Sequence, residues 1–202
     1  MKIMILDEVL ECTNEVSAVE SMFQHVNQLI AESNLALSHM DIDSVEVYEN
    51  YYQYVLDHLH TIQVIDIIMK TMNDLILDAL LSTESYLARS LPEIRLLVDE
   101  FYQGPGKISW VKFEQLLEGL QWMLNMLATI GENKEWYHNK EQYRSIAGQL
   151  SNQIGLLQEA FENKDMTLLS DLLGYEIVPS LENLEIKIKE TLDHIRNGVN
   201  LN

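Results

Sequence analysis

The sequence predicts an α+β protein in which a small N-terminal α+β unit precedes an antiparallel four-helix bundle. Short segments that alternate in polarity, or that are rich in β-branched residues, are confined to the first 70 residues. After residue 71, apolar residues recur at steps of three and four, which is the spacing of one helix face. Thr71 followed by Asp74 is a helix-start pattern between the two regions. We therefore predict two domains, residues 1–71 and residues 72–202.

The N-terminal region predicts strands around one main helix. Alternation and β-branched residues favour the strands, and a period near 3.6 favours the helix. The predicted order is two short strands in 2–11, a helix to about Ser33, a strand or bent strand pair in 35–48, one or two helical turns in 48–54 and a buried strand in 61–70.

Residues 109–131 predict the central helix of the second domain, because their apolar stripe is wide enough for several partner helices. Ser109 is the expected N-cap, and Gly131 the expected glycine after the last turn. Its neighbours are predicted at about 72–102, 134–163 and 166–197.

Prolines and glycines predict irregularities in the neighbouring helices. Pro92, within a second capping pattern that begins at Ser90, predicts a break or kink in the first helix. Pro179 predicts a kink in the last helix. Gly148 and Gly155 share one face of the third helix, and we expect a neighbouring group to approach closely there.

Composition restricts the partners and the compartment. The 202 residues carry a net charge of −19, and twelve carboxylates lie between Lys2 and Lys70 without an intervening Lys or Arg. Such a field repels nucleic acid and anionic membranes and attracts a basic protein, although a merely solubilising surface is the alternative. The single Cys12 excludes an intramolecular disulfide, and no apolar run reaches the roughly 18 residues of a membrane span, so we expect a cytoplasmic protein.

Four short sequence segments, spread over most of the chain, resemble those of a known group of proteins. They are S-T-E-S-Y-L at 82–87, F-Y-Q-G-P at 101–105, L-L-E-G-L-Q-W at 116–122 and Y-E-I-V-P-S-L-E at 175–182. Together they resemble an uncharacterised group of bacterial proteins with a small α+β start and a C-terminal helical bundle. The resemblance implies a bacterial origin, and it implies no activity or functional residue.

A metal site is the strongest chemical candidate. Glu135 and His138 have the Glu-x-x-His spacing of di-iron bundles, and Glu141 lies one turn further on. Those sites require a second such motif, which this sequence lacks, and no P-loop, G-x-S-x-G or dinucleotide fingerprint is present. We therefore expect no metal and no cofactor. A metal-dependent enzyme on a bundle scaffold is the alternative function.

The predicted binding surface combines acidic and tyrosine side chains. Exposed tyrosines favour protein interfaces because they offer a large contact area at a low entropic cost. The alternative is that two or three of them fill the junction between the sheet and the bundle. We predict a non-enzymatic protein-binding module (adaptor, regulator or chaperone-like) with a basic partner, and a homodimer remains open. The predicted contact residues are Glu46, Tyr48, Glu49, Tyr51, Tyr52 and Tyr54.

Overall fold

The computed structural model describes residues 1–133 and 138–199. The chain divides into two compact units, Met1–Leu75 and Ile76–Asn202. The predicted α+β class is confirmed, because a five-stranded sheet occupies the first unit and helices dominate the remainder. Whether residues 72–202 fold independently stays a prediction.

The first unit contains the strands and two helices. Asp43 and Ser44 join β3 to β4 with positive φ angles of 50° and 70°, as a tight hairpin turn requires. The Asp43 carboxylate also accepts hydrogen bonds from the backbone N–H groups of Gln63 (3.1 Å) and Val64 (2.8 Å). The elements are β1 (Lys2–Ile5), β2 (Glu8–Glu11), α1 (Val16–Glu32), β3 (Leu35–Ile42), β4 (Val45–Val47), α2 (Tyr51–His58) and β5 (Val64–Thr71).

The sheet has the strand order β2-β1-β5-β3-β4. β1 and β5 run parallel, and the other neighbouring pairs are antiparallel. Alternate strand residues join α1 and α2 in a single buried cluster, so both helices lie on the same face of the sheet. Its main members are Ile3, Ile5, Val19, Met22, Val26, Met40, Ile42, Val55, Ile65 and Ile67.

The second unit is helical. Its packed centre includes Leu120, Met123 and Leu127, which are fully buried on α4 as the apolar stripe predicts. No described helix combines the length and the apolar composition that a membrane span requires. The helical elements are α3 (Met72–Gln103), α4 (Lys107–Glu132), α5 (Lys140–Glu162), α6 (Met166–Asp171), a π-helical segment (Leu172–Ile177) and α7 (Val178–Val199).

The predicted ends of the central helix were wrong. α4 begins after Gly106, whose N–H donates to Ser109 Oγ at 3.2 Å, so Ser109 lies in the first turn instead of at the N-cap. Gly131 is buried inside α4, which continues to Glu132. A glycine therefore does not end the helix here, because buried packing outweighs its weak helix propensity.

α3 continues through Pro92 without the break that was one of the two predicted outcomes, and Leu91 and Ile94 beside the proline are buried. The close approach expected at Gly148 and Gly155 is absent, since no atom lies within 4 Å of a Cβ built at either position.

A π-helical segment, Leu172–Ile177, ends two residues before Pro179, and the kink expected at this proline stays a prediction.

Candidate functional site

Three carboxylates lie side by side on the sheet face opposite α1 and α2. Glu46 on β4 is the cross-strand partner of Asp41 on β3, and Asp41 is in turn the partner of Asp66 on β5. We call Glu46, Asp41 and Asp66 the carboxylate row. In the described chain, Asp41 and Asp66 form neither a hydrogen bond nor an ion pair with another side chain. Like charges on directly opposed strand positions destabilise a sheet, so this arrangement has a free-energy cost.

The surroundings of the row combine apolar groups with two cations at a distance. Met4 on β1 pairs with Asp66, and Val9 on β2 pairs with Met4 and is 57% exposed. Alternation along the strands also puts Lys2 and Lys70 on this face. Lys2 lies two residues along β1 from Met4, and Lys70 lies four residues along β5 from Asp66. An open concavity of about 530 Å³ is lined by Met4, Asp41, Asp66 and the residues of the β3–β4 turn.

Tyr48 extends the row at the β4 edge of the sheet. Its hydroxyl donates to Glu46 Oε2 at 2.6 Å. Its ring stacks on His39, with 5.1 Å between the ring centroids and 29° between the planes. Tyr48 nevertheless remains 60% exposed, so the ring offers apolar area beside the carboxylates.

The other predicted contact residues are distributed over different surroundings. Tyr51 and Tyr54 pack against the buried cluster, and burial followed by the charge of Glu49 raises the pKa of Tyr51. Tyr52 is 41% exposed and meets the ring of Phe23 edge-on at 5.5 Å. Glu49 is exposed. The carboxylate row thus adjoins only two of the predicted residues, Glu46 and Tyr48.

The predicted contact residues did not include Asp41 or Asp66, although Asp41 falls within residues 41–60, which the sequence predicts as part of the binding surface. Asp66 interrupts the apolar run V-I-D-I-I, and this polar residue in a predicted strand was the one available signal.

The candidate metal ligands are only partly described. Glu135 lies outside the described residues. The His138 ring lies 4.9 Å from that of His194, and burial followed by the charge of His194 lowers the pKa of His138. Glu141 forms an ion pair with Arg144 at 2.8 Å. Across 1–133 and 138–199, no three His, Cys, Asp or Glu side chains are arranged to hold a metal ion.

Comparison with known families identifies the second unit. Residues 78–187, more than half of the chain, match a family described as a domain of unknown function (DUF8042). The chain belongs to the DUF8042 family. The resemblance to an uncharacterised family is thereby confirmed. No curated protein and no solved structure matches the chain. The DUF8042 match begins after β5, so the carboxylate row lies outside the matched range.

Proposed function

We propose that this DUF8042 protein is a non-enzymatic, cytoplasmic protein-binding module whose N-terminal sheet face binds a basic partner. The observation that carries the proposal is the carboxylate row, Glu46–Asp41–Asp66, on consecutive cross-strand positions. The repulsion within the row falls when an external cationic surface covers it. A binding surface therefore gives a reason for retaining an arrangement that disfavours the free protein.

Apolar groups beside the row provide the anchors that charge alone does not supply. Exposed ion pairs contribute little affinity, and charges at the rim of an interface act mainly on the rate of association. Tyr48 and Val9 are both more than half exposed, at opposite ends of the row. A basic segment with apolar side chains fits this pattern, whereas a second copy of a chain with a net charge of −19 is repelled.

We further propose that the helices of the DUF8042 unit form an antiparallel four-helix bundle that serves as a scaffold. Two contacts support opposite directions for neighbouring helices. Trp110, near the start of α4, meets Phe161, near the end of α5, with 5.6 Å between the ring centroids. Tyr143, near the start of α5, forms a 2.6 Å hydrogen bond with Thr191, near the end of α7.

The test is affinity capture from cells of the native organism with two charge-matched variants. The first variant neutralises the row by Asp41→Asn, Glu46→Gln and Asp66→Asn. The control removes the same charge from exposed positions away from the row, by Asp7→Asn, Glu15→Gln and Glu20→Gln. We expect the first variant to lose basic proteins that the wild type and the control both retain.

Two outcomes contradict the proposal. Equal capture by the wild type and both variants means that the row is only a solvated surface. Equal loss in both variants means that the overall charge, rather than this surface, attracts the partner. Neutralising the row relieves repulsion, so the free energy of unfolding should stay unchanged or rise. A lost partner therefore does not reflect a damaged fold.

A further inference from the structure

A polar groove of about 580 Å³ lies between α5 and the helical segment that contains the π turns. This volume falls within the roughly 300–1,000 Å³ of small-ligand sites. Glu176 is its only charged lining residue. On the α5 side no charged residue occurs from Ser145 to Gln158. Four carboxamides face the groove, from Gln149, Asn152, Gln153 and Asn183.

Gln153 organises the floor of this groove. Its side chain is buried, with 7% exposed, and its Nε2 donates to Ser180 Oγ at 3.0 Å and to Glu176 Oε2 at 3.3 Å. A carboxylate only accepts hydrogen bonds, so the amide nitrogen has to face Glu176. Gln153 Oε1 is then left buried without a partner. Buried acceptors are almost always satisfied, and the exceptions call for a functional or structural reason.

The opposite wall is an unusual helix. Leu172–Ile177 is π-helical. This geometry is rare in proteins, and where it occurs it is often found at functional sites. Pro179 follows it and has no N–H to donate to the carbonyl of Tyr175, which would be its partner in an α-helix. The segment presents Tyr175, which is 74% exposed, and Glu176 at the groove. The orphaned amide and the π turns are therefore independent features of the same groove.

The chemistry of the lining selects the ligand. A carboxamide donates and accepts, as a peptide group does, so Gln149, Asn152 and Asn183 match the N–H and C=O groups of an extended backbone. The Glu176 carboxylate can form an ion pair with one cationic side chain, and the face of the Tyr175 ring attracts a guanidinium group. We infer that this groove of the DUF8042 unit binds an extended peptide segment that carries an arginine. This inference does not rest on the carboxylate row.

The experiment is titration of the full-length, isotope-labelled protein, followed by backbone amide NMR. The probe is acetyl-Ala-Ala-Arg-Ala-Ala-amide, and the same peptide with Glu in place of Arg is the matched control. We expect the Arg peptide to shift the signals of Gln153, Tyr175, Glu176 and Ser180, and the Glu peptide to leave them unchanged. Arginine amide should bind at least tenfold more weakly than the peptide, because it lacks the backbone groups.

Variants separate this site from general attraction to an acidic protein. Glu176→Gln should weaken binding of the Arg peptide severalfold, because it removes one exposed, charged hydrogen-bond acceptor. Gln153→Met should also weaken binding of the Arg peptide, because it removes the amide that bonds to Glu176, and its melting temperature should reflect the loss of the hydrogen bonds to Ser180 and Glu176. Glu118→Gln, the same charge change on an exposed position of α4, should have no effect.

The inference is overturned if the Arg peptide shifts no groove signal, or if the Glu peptide shifts the same signals equally. Binding of methyl glucoside at the groove in place of the Arg peptide would indicate a carbohydrate site and also overturn it. If Gln153→Met fails to fold, the exposed Glu176→Gln variant decides the matter, and unchanged affinity there rejects the site.

Discussion

The hydroxyl of Tyr86 on α3 occupies the space that a Cβ at Gly119 on α4 would need, and its Cζ lies 3.1 Å from that position. This is the close approach that the sequence suggested for Gly148 and Gly155. The glycine lets the rigid ring pack directly on the α4 backbone. Gly119 is therefore retained for packing, although glycine is unfavourable within a helix.

We expect Gly119→Ala to lower the free energy of unfolding by about 1 kcal/mol or more. Moving the Tyr86 ring away from the new methyl group should cost more free energy than alanine gains through its better helix propensity. Gly148→Ala and Gly155→Ala are matched controls in open space and should each raise it by roughly 0.5–1 kcal/mol. Urea unfolding measures all three. A stabilising Gly119→Ala substitution would show that Tyr86 moves aside freely.

Leu120→Asp should unfold the helical unit. Leu120 is fully buried, and an unpaired carboxylate there costs several kcal/mol, a large part of the roughly 5–15 kcal/mol of a typical domain. The exposed Glu118→Asp substitution is the control and should change stability by less than about 0.5 kcal/mol. Thermal unfolding followed by circular dichroism checks both. An unchanged melting temperature for Leu120→Asp would mean that another face of α4 is buried.

Tyr143 predicts a loss of stability in alkali. Its hydroxyl is buried against Thr191 Oγ1 at 2.6 Å, and burial raises the pKa of Tyr143 to about 12. The unfolded chain has a tyrosine pKa of about 10. The stabilisation that comes from this pKa difference is therefore complete below about pH 10. It is lost as the pH rises toward 12, which lowers the free energy of unfolding by up to roughly 3 kcal/mol.

Tyr143→Phe should make this decline shallower in urea unfolding between about pH 9 and 11. It should not abolish the decline, because a hydrogen bond to Asp171 raises the pKa of Tyr102 to about 12 as well. At neutral pH the substitution should cost about 1 kcal/mol, since Thr191 keeps its bonds to Asn139 and Lys187. An identical pH profile for both proteins would refute the assignment to Tyr143.

A fragment of residues 72–202 should fold alone. Its buried residues, including Leu87 on α3 and Leu184 on α7, belong to the second unit, Ile76–Asn202. Circular dichroism should show a helical spectrum and a cooperative thermal transition. An unfolded fragment would indicate that the two units depend on one another for stability.

Local patterns predicted the classes of the elements well. Strand alternation and β-branched runs predicted the regions of β1, β2 and β5, because each signal lies within a few residues, and they left β3 and β4 open as one strand or a bent pair. Thr71 acts as the predicted helix-start residue, since its Oγ1 accepts the N–H of Asp74 at 3.1 Å. Ser90 carries the same type of signal but starts no helix, because packing on both sides of Pro92 maintains α3.

The candidate sites were not predictable, because they depend on register between distant segments. Glu46 and Asp41 are close in sequence, but Asp66 joins them only because β5 lies beside β3 in the sheet. The orphaned amide of Gln153 likewise arises from contacts with Ser180 and Glu176 across two helices. Neither relationship has a signature within a short stretch of sequence.

The most direct test of the carboxylate row is the association rate of a captured basic partner as a function of salt. The account predicts that the wild type and the control variant (Asp7→Asn, Glu15→Gln, Glu20→Gln) associate rapidly at low salt and more slowly by about tenfold or more at physiological salt. The variant with Asp41, Glu46 and Asp66 neutralised should associate slowly at both. If that variant shows the same rates and salt dependence as the wild type, the row is not the binding surface.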